Sequence, residues 1–492
     1  MSKPKQPSRR DLLSLCGTSA LGLAFLPFLR RVARAQPGPS ARADRVLIIN
    51  MAGGVRSSAA FNASGKFSHN PYGLMSGVST PFALGAILDD HGSDASYRFD
   101  PPTTGQRVHP VELDGLVLPH FRSMASSTSV LGTYARERGD HLRARIEEPT
   151  GSASGAAPGI LTRIGAGFAA ATTQTGAPAF HLSPAAQFGS ALGDLTRYVP
   201  VSLASTSSIP SAANVLPAWR STTGNAFATD DAMRDRLDAR AIAERHSVGK
   251  QMTETLSFHR RAARDIGSRL ANDDFALVNT AKDSAALGDV MLGAPAPLTN
   301  GILKAIFRKG KPPGGHFDAY ADNLALAVRL LQIGSPAVTL ETPTFDFHSG
   351  EADFAPALYG YFARTWAALW WLLARIPSGT GGSLLDRTLV ITMSDFGRDP
   401  GSIDTGYNPG LGTDHGADNA CFYLAHAMMG AGITPNKLTG LVDTDTYNAM
   451  QQPKRYSPQE LLITILDTLG LDYRDEQWGF PEGGAPITEI WS

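Results

Sequence analysis

Three short runs in the last third of the chain carry side chains able to hold a cation or move a proton. They are Phe345-Asp346-Phe347-His348, Ser394-Asp395-Phe396-Gly397-Arg398 and Thr413-Asp414-His415-Gly416. Carboxylate and imidazole bind hard and borderline divalent ions and exchange protons near neutral pH. With no thiolate among them, the donors fit Zn²⁺, Mn²⁺ or Ca²⁺ rather than a cysteine-built structural zinc. In an extended segment alternate residues face one side, so Asp346 and His348 can reach a single ion. Arg398 can clamp an anionic substrate through its fork of donors or make an ordinary ion pair. The plainer alternative is a hydrogen-bond network at strand ends, with Asp395 capping a loop and His348 paired to a carboxylate.

These side chains act together only if the fold delivers them to one place. Arg45–Asn50, Ala337–Glu341 and Thr388–Met393 are continuous apolar runs, the pattern of strands buried on both faces of a parallel sheet. Ser127–Tyr134 reads as a further strand, ending near Asp140-His141, and Ala420–Ala425 as a last apolar run. Helical periodicity at Asn323–Ile333, Phe354–Ile376 and Pro458–Leu469 alternates with these strands, which predicts a doubly wound α/β sheet. Trp366, Trp370 and Trp371 lie on or near one stripe and are expected to pack in the core. Residues 55–110 read as long loops, and 229–290 as a helical insertion with a solvated charged face. Open α/β sheets bind ligands beyond the carboxyl ends of their strands. Asp346 and Asp395 follow two such ends. Asp414 and His415 precede the next run, so all five carboxylates and imidazoles are expected at that edge.

The 492 residues suffice for one large α/β domain or two medium ones, and the formal net charge of −1 argues against a broad nucleic-acid surface. Charge is uneven along the chain. Residues 1–35 carry seven Lys or Arg against Asp11 alone, which leaves 37 basic and 44 acidic residues beyond them, a net of −7. Paired Arg9-Arg10, the apolar run Leu12–Leu29 and the small-x-small triplet Ala33-Arg34-Ala35 read as a twin-arginine export signal, the alternative being a membrane anchor, which Gly17, Gly22 and Pro27 within the run argue against. The expected partner during export is the twin-arginine translocase. The expected location is periplasmic or secreted, with no stable membrane span after processing. Cleavage there leaves Cys421 as the one cysteine, so no intrachain disulfide is expected.

These features resemble DUF1501, a family of exported bacterial proteins placed in the alkaline phosphatase-like (sulfatase-like) superfamily. Asp140-His141, Thr150-Gly151 and Gly159-Ile160-Leu161-Thr162-Arg163 are similar to the family's Ser-His-Phe, Thr-Gly and Gly-Trp-Leu-x-Arg elements. Phe345–His348 stands where the family has Trp-Asp-Thr-His. Thr392–Arg398 is similar to its Thr-Met-Ser-Glu-Phe-Gly-Arg, and Thr413–Gly416 matches directly. The resemblance implies an α/β/α sandwich with a mostly parallel sheet, one domain over 36–492, and a two-metal site hydrolysing phosphate or sulfate esters in the active members. It also implies Asp346, His348, Asp395 and His415 as metal ligands. Two departures stand out. The active enzymes place an acidic ligand after the first strand, where this chain has Met51-Ala52-Gly53-Gly54-Val55. They also carry a Ser, Thr or modified Cys nucleophile at a helix start, for which Thr150 and Ser152 are the nearest candidates.

The function expected is a metal-dependent hydrolase of a small-molecule or polymer ester, with a water activated by the cation as nucleophile. His141, Arg398 and Asp414 are its catalytic candidates: His141 as general acid or orienting group, Arg398 stabilising negative charge. The alternative is a non-catalytic periplasmic binding or assembly protein that keeps the fold.

Overall fold

The computed structural model describes residues 41–55, 97–98, 107–108, 111–113, 116–118, 128–134, 141–152, 157–171, 179–182, 186–191, 195, 198–203, 239–240, 269–270, 276–277, 297–308, 311–346, 358, 361–362, 365–366, 368–379, 381–397, 423–435, 438–439, 456–480 and 483–491. Residues 1–35, expected to be an export signal, and His348, Arg398, Asp414, His415 and most of 229–290 lie outside them.

Eight strands form the central sheet: β1 (Arg45–Met51), β2 (Thr128–Tyr134), β3 (Phe180–His181), β4 (Val201–Ser202), β5 (Ala337–Glu341), β6 (Thr388–Ser394), β7 (Tyr423–Met429) and β8 (Leu438–Thr439). Their order across the sheet is β8-β2-β7-β6-β1-β5-β3-β4. The central β1 pairs in parallel with β5 on one side and β6 on the other. Only β7 opposes its neighbours, β6 and β2. The expected apolar run Ala420–Ala425 overlaps β7, which spans Tyr423–Met429 and runs against its neighbours. β6 therefore ends, and β7 begins, on the same edge of the sheet.

All seven residues of β1 are buried, because alternate side chains feed two different cores. Leu47, Ile49 and Met51 join the cluster that holds Leu324, Val328, Trp366 and Leu369. Val46 and Ile48 join Ile160, Ile164, Leu462 and Ile465 on the other face. The helices divide accordingly. α1 (His141–Thr150), α2 (Ile160–Ala171) and α5 (Pro458–Thr468) lie toward the second cluster, while α3 (Asn300–Arg308), α4 (Gly315–Gln332) and the helical residues between 358 and 373 serve the first. Helices on both faces of a mostly parallel sheet make this an α/β fold. Trp366 and Trp371 are core residues as expected, and Trp366 Nε1 donates to Thr128 Oγ1 at 3.1 Å.

α4 begins at Gly315, well before the expected Asn323. The cause is tertiary. Asp322 and Asn323 read as a polar helix start, yet both are buried and satisfied inside the helix. Arg308 grips Asp322 through Nε at 2.9 Å and Nη2 at 2.8 Å, and Asn323 Nδ2 donates to Leu182 O at 2.8 Å. α5, by contrast, carries its own start signal. Ser457 Oγ accepts from the Glu460 amide at 3.2 Å, the Glu460 carboxylate accepts from the Ser457 amide at 2.8 Å, and Pro458 follows the cap. Such a capping box contributes about 1 kcal/mol.

Candidate functional site

The loops leaving β1, β5 and β6 are sewn together by backbone hydrogen bonds just beyond the sheet. The Thr342 amide donates to Asn50 O at 2.9 Å, Phe345 to Ala52 O at 2.7 Å and Val55 to Phe396 O at 3.1 Å. Close approach requires the glycine pair between them. Gly53 has φ +99°, and a Cβ there would lie 2.5 Å from the Asp346 amide nitrogen. Gly54 has φ +83°, and its Cβ would lie 2.7 Å from the Phe396 ring. Only glycine meets both demands. The Gly-Gly turn thereby sets Asp346, at the end of the β5 loop, against Asp395, the residue after β6.

α1 closes the site. Its first residue, His141, rests its ring on Phe396 with centroids 4.7 Å apart. Nδ1 lies 2.8 Å from Asp395 Oδ2 and Nε2 lies 3.2 Å from Asp346 Oδ1. One turn later Arg145 donates from Nε to Asp395 Oδ2 at 3.0 Å, and the Gly53 amide donates to the same oxygen at 3.1 Å. Asp395 is thus held by three donors from β1's loop and α1, with its side chain 1% exposed. Asp346 opposes it with a side chain 33% exposed.

Burial works against the Arg145 charge, but Asp395, Glu341 and Asp346 outweigh it and raise its pKa. Glu148, one further turn along α1, behaves oppositely. Full burial, with Glu147 and Asp395 nearby, pushes its pKa well above the carboxylate range. Its two oxygens have no hydrogen-bond partner among the described residues.

Of the seven candidates, His141, Asp346 and Asp395 are described and meet at one edge, although they come from α1 and two strand ends. His348, Arg398, Asp414 and His415 lie outside the described residues. Thr150 and Ser152 stand at the end of α1 rather than at a helix start. The Thr150 hydroxyl donates to the Ile146 and Ser152 carbonyls. The sequence reading missed Arg145, Gly53 and Glu341. The available signal for Arg145 was its spacing, four residues after His141 on one helical face.

Carboxylate and imidazole are donor types that suit a divalent cation, and His141 is within hydrogen-bonding distance of both Asp346 and Asp395. Among the described residues, however, no group of three or more His, Cys, Asp or Glu is arranged to hold one. His141 has both ring nitrogens turned to carboxylates. Oxygens that could ligate are those of Asp346 and Asp395 Oδ1, which receives no donor among the described residues. No helix among them is long and apolar enough to cross a membrane.

A family model described as protein of unknown function (DUF1501) matches residues 43–488. No curated protein and no solved structure matches the chain.

Proposed function

From the premise that the chain belongs to the DUF1501 family, we propose that it is an exported, metal-dependent hydrolase of a phosphate, sulfate or other polar ester, built on an alkaline phosphatase-like α/β/α sandwich. The observation that carries this reading is His141 standing between Asp346 and Asp395 at the carboxyl edge of parallel strands. That edge is where open α/β sheets place their ligands. A cation there would be held by Asp346 and Asp395, with His348 and His415 completing the set. When bound, it would supply charge opposite the ester oxygens and acidify a water.

The chain's own residues divide the remaining work. Buried Asp395 accepts from His141 Nδ1 and so fixes which ring nitrogen carries the proton there. Nε2 then faces the more exposed Asp346, the side from which a substrate arrives. This is the arrangement of a positioned general acid, in which a carboxylate orients one nitrogen and the other exchanges its proton with the leaving group. Export through the twin-arginine translocase, with action in the periplasm or outside the cell, rests on residues 1–35 of the sequence; cell fractionation tests it.

The test pairs metal analysis of the purified protein with a phosphatase, phosphodiesterase and sulfatase panel in Zn²⁺, Mn²⁺ or Ca²⁺. Stoichiometric metal should disappear in His348→Ala. His141→Ala should retain metal and lose about 10²- to 10⁴-fold in turnover. One observation favours a second reading, a non-catalytic binding or assembly protein. Where active relatives in the superfamily place an acid, Gly53 offers an amide that Asp395 already uses. Well-folded protein that binds none of the three ions and turns over nothing would establish that reading instead.

A further inference from the structure

The amino end of β1 is tied to the far end of the chain. The Arg42 and Ala43 amides both donate to Thr468 O at 3.0 Å, where α5 ends, and the Arg42 guanidinium lies 3.9 Å over the Trp491 ring. Gly470 (φ +68°) lets the chain pass, since a Cβ there would lie 2.8 Å from the Ala41 Cβ. The Asp44 amide donates to Arg387 O at 3.1 Å, and Asp44 Oδ2 accepts from Arg387 Nε and Nη2 at 3.3 Å. Arg45 Nη2 donates to Ser378 O at 3.2 Å. The helical turn Thr488–Trp491 that supplies the indole is itself anchored. The Thr434 amide donates to Ile490 O at 3.0 Å and the Ile487 amide to Thr464 Oγ1 at 2.8 Å, and both isoleucines are buried in the cluster that holds Leu462 and Ile465.

These contacts impose an order of events on folding. The amide of Val46 donates to Pro336 O at 3.0 Å, and β1 pairs with residues 337–341 and 388–394. The partners of residues 42–51 thus lie at Pro336 and beyond, out to Trp491. Until those segments are made and docked, the apolar run Val46–Met51 lacks its neighbouring strands, and an unpaired apolar strand is a template for wrong pairing. In sequence it follows closely on residues 1–35, the expected leader. Resting on the proposed export, we infer that residues 41–45 and 467–491 form a clasp that couples export to completion of the fold. The twin-arginine route carries chains that have already folded. With the clasp shut, the segment behind the leader emerges from a sealed body. With it open, the leader is followed by a frayed apolar strand, and the translocase rejects the chain. The C-terminal turn is therefore the last part of the protein to be checked before export.

Trp491→Ala in the full chain tests this by two readings. In the purified, processed protein, trypsin should cut after Arg42 about 3- to 10-fold faster than in the wild type, because cleavage follows the open population of a segment that has lost its cation–π contact. In cells, the processed periplasmic fraction should fall and precursor should collect in the cytoplasm. Trp491→Phe keeps a ring under the guanidinium and should stay near the wild type in both readings. Arg42→Gln leaves the C-terminal turn intact and should lower export as Trp491→Ala does. Leu324→Ala weakens the core on the opposite face of the sheet, and at an equal loss of thermal midpoint it should export better than Trp491→Ala. Cleavage no faster than in the wild type, unchanged export, or equal export by the two destabilised variants each overturns the clasp and leaves the export reading intact. A wild type that stays in the cytoplasm, or that is exported as well after Arg9→Lys and Arg10→Lys together, overturns the export reading and the coupling with it.

Discussion

Polar groups occur in this protein in two conditions, sealed in the core and open at the sheet edge. Arg163 and His426 represent the first. Arg163 is 2% exposed, and every donor it uses goes to a backbone carbonyl: Nε to Pro158 at 2.9 Å, Nη2 to Thr150 at 3.1 Å, and Nη1 to Trp478 and Gly479. Its guanidinium also lies 3.7 Å over the Phe480 ring. With no acid paired to it among the described residues, burial pulls its pKa down to about 9. His426 lies between strands, Nδ1 donating to Thr392 O at 2.8 Å and Nε2 accepting from the Thr133 hydroxyl at 2.7 Å. That pattern demands one proton on the ring, and burial pulls its pKa down to about 4. At the edge, Arg145 and His141 meet carboxylates instead of carbonyls, and the Arg145 pKa rises. The same side-chain types are therefore scaffold in one place and available chemistry in the other. What separates them is whether neutral backbone or charged, part-exposed side chains satisfy the donors.

The contrast can be broken by stability measurements. Arg163→Met leaves four carbonyls, three of them in buried hydrogen bonds, without their donor and should lower the unfolding free energy by about 3–5 kcal/mol in urea titrations. A loss under about 1 kcal/mol would place Arg163 with the edge residues. His426 should make stability pH-dependent. Its folded pKa lies below the unfolded value of 6.5, so its contribution is whole above pH 6.5 and is lost as pH falls toward about 4. The loss should approach roughly 3 kcal/mol, and His426→Gln should flatten the denaturation midpoint over that range. Gly53→Ala should cost about 2 kcal/mol, because a positive φ and contact with the Asp346 amide both oppose a methyl group. Calorimetry checks that figure, and metal retention should fall with it as Asp346 is displaced. Arg145→Gln should be the mildest, within about 1 kcal/mol of wild type, as for other part-exposed ion pairs. A larger loss in thermal unfolding would make Arg145 a structural brace.

Much of the scaffold was legible along the chain, for a specific reason in each case. β1, β5 and β6 are buried on both faces, so they appear as uninterrupted apolar runs that no other element explains as well. The ends of those runs located Asp346 and Asp395, and the end of β2 pointed toward His141. Less legible were elements whose polar residues find remote partners. The start of α4 was misplaced because Arg308 and the Leu182 carbonyl, far off in sequence, satisfy Asp322 and Asn323. The direction of β7 was equally hidden, since an apolar run of that length carries no sign of its orientation.

The residue order by itself determined which segments are buried strands and which carboxylates and imidazoles stand at their ends, because burial acts on each segment through its own hydrophobicity. Only the tertiary structure decided that the Gly53 amide donates to Asp395, that His141 stands between Asp346 and Asp395, and that Arg145 reaches Asp395 through Nε alone. Those outcomes depend on groups brought together across 200 to 340 residues of chain, as in the His141–Asp346 and Gly53–Asp395 contacts. Hydrogen bonds and charge pairs act over a few ångströms, and local sequence does not encode which distant group will arrive within that reach.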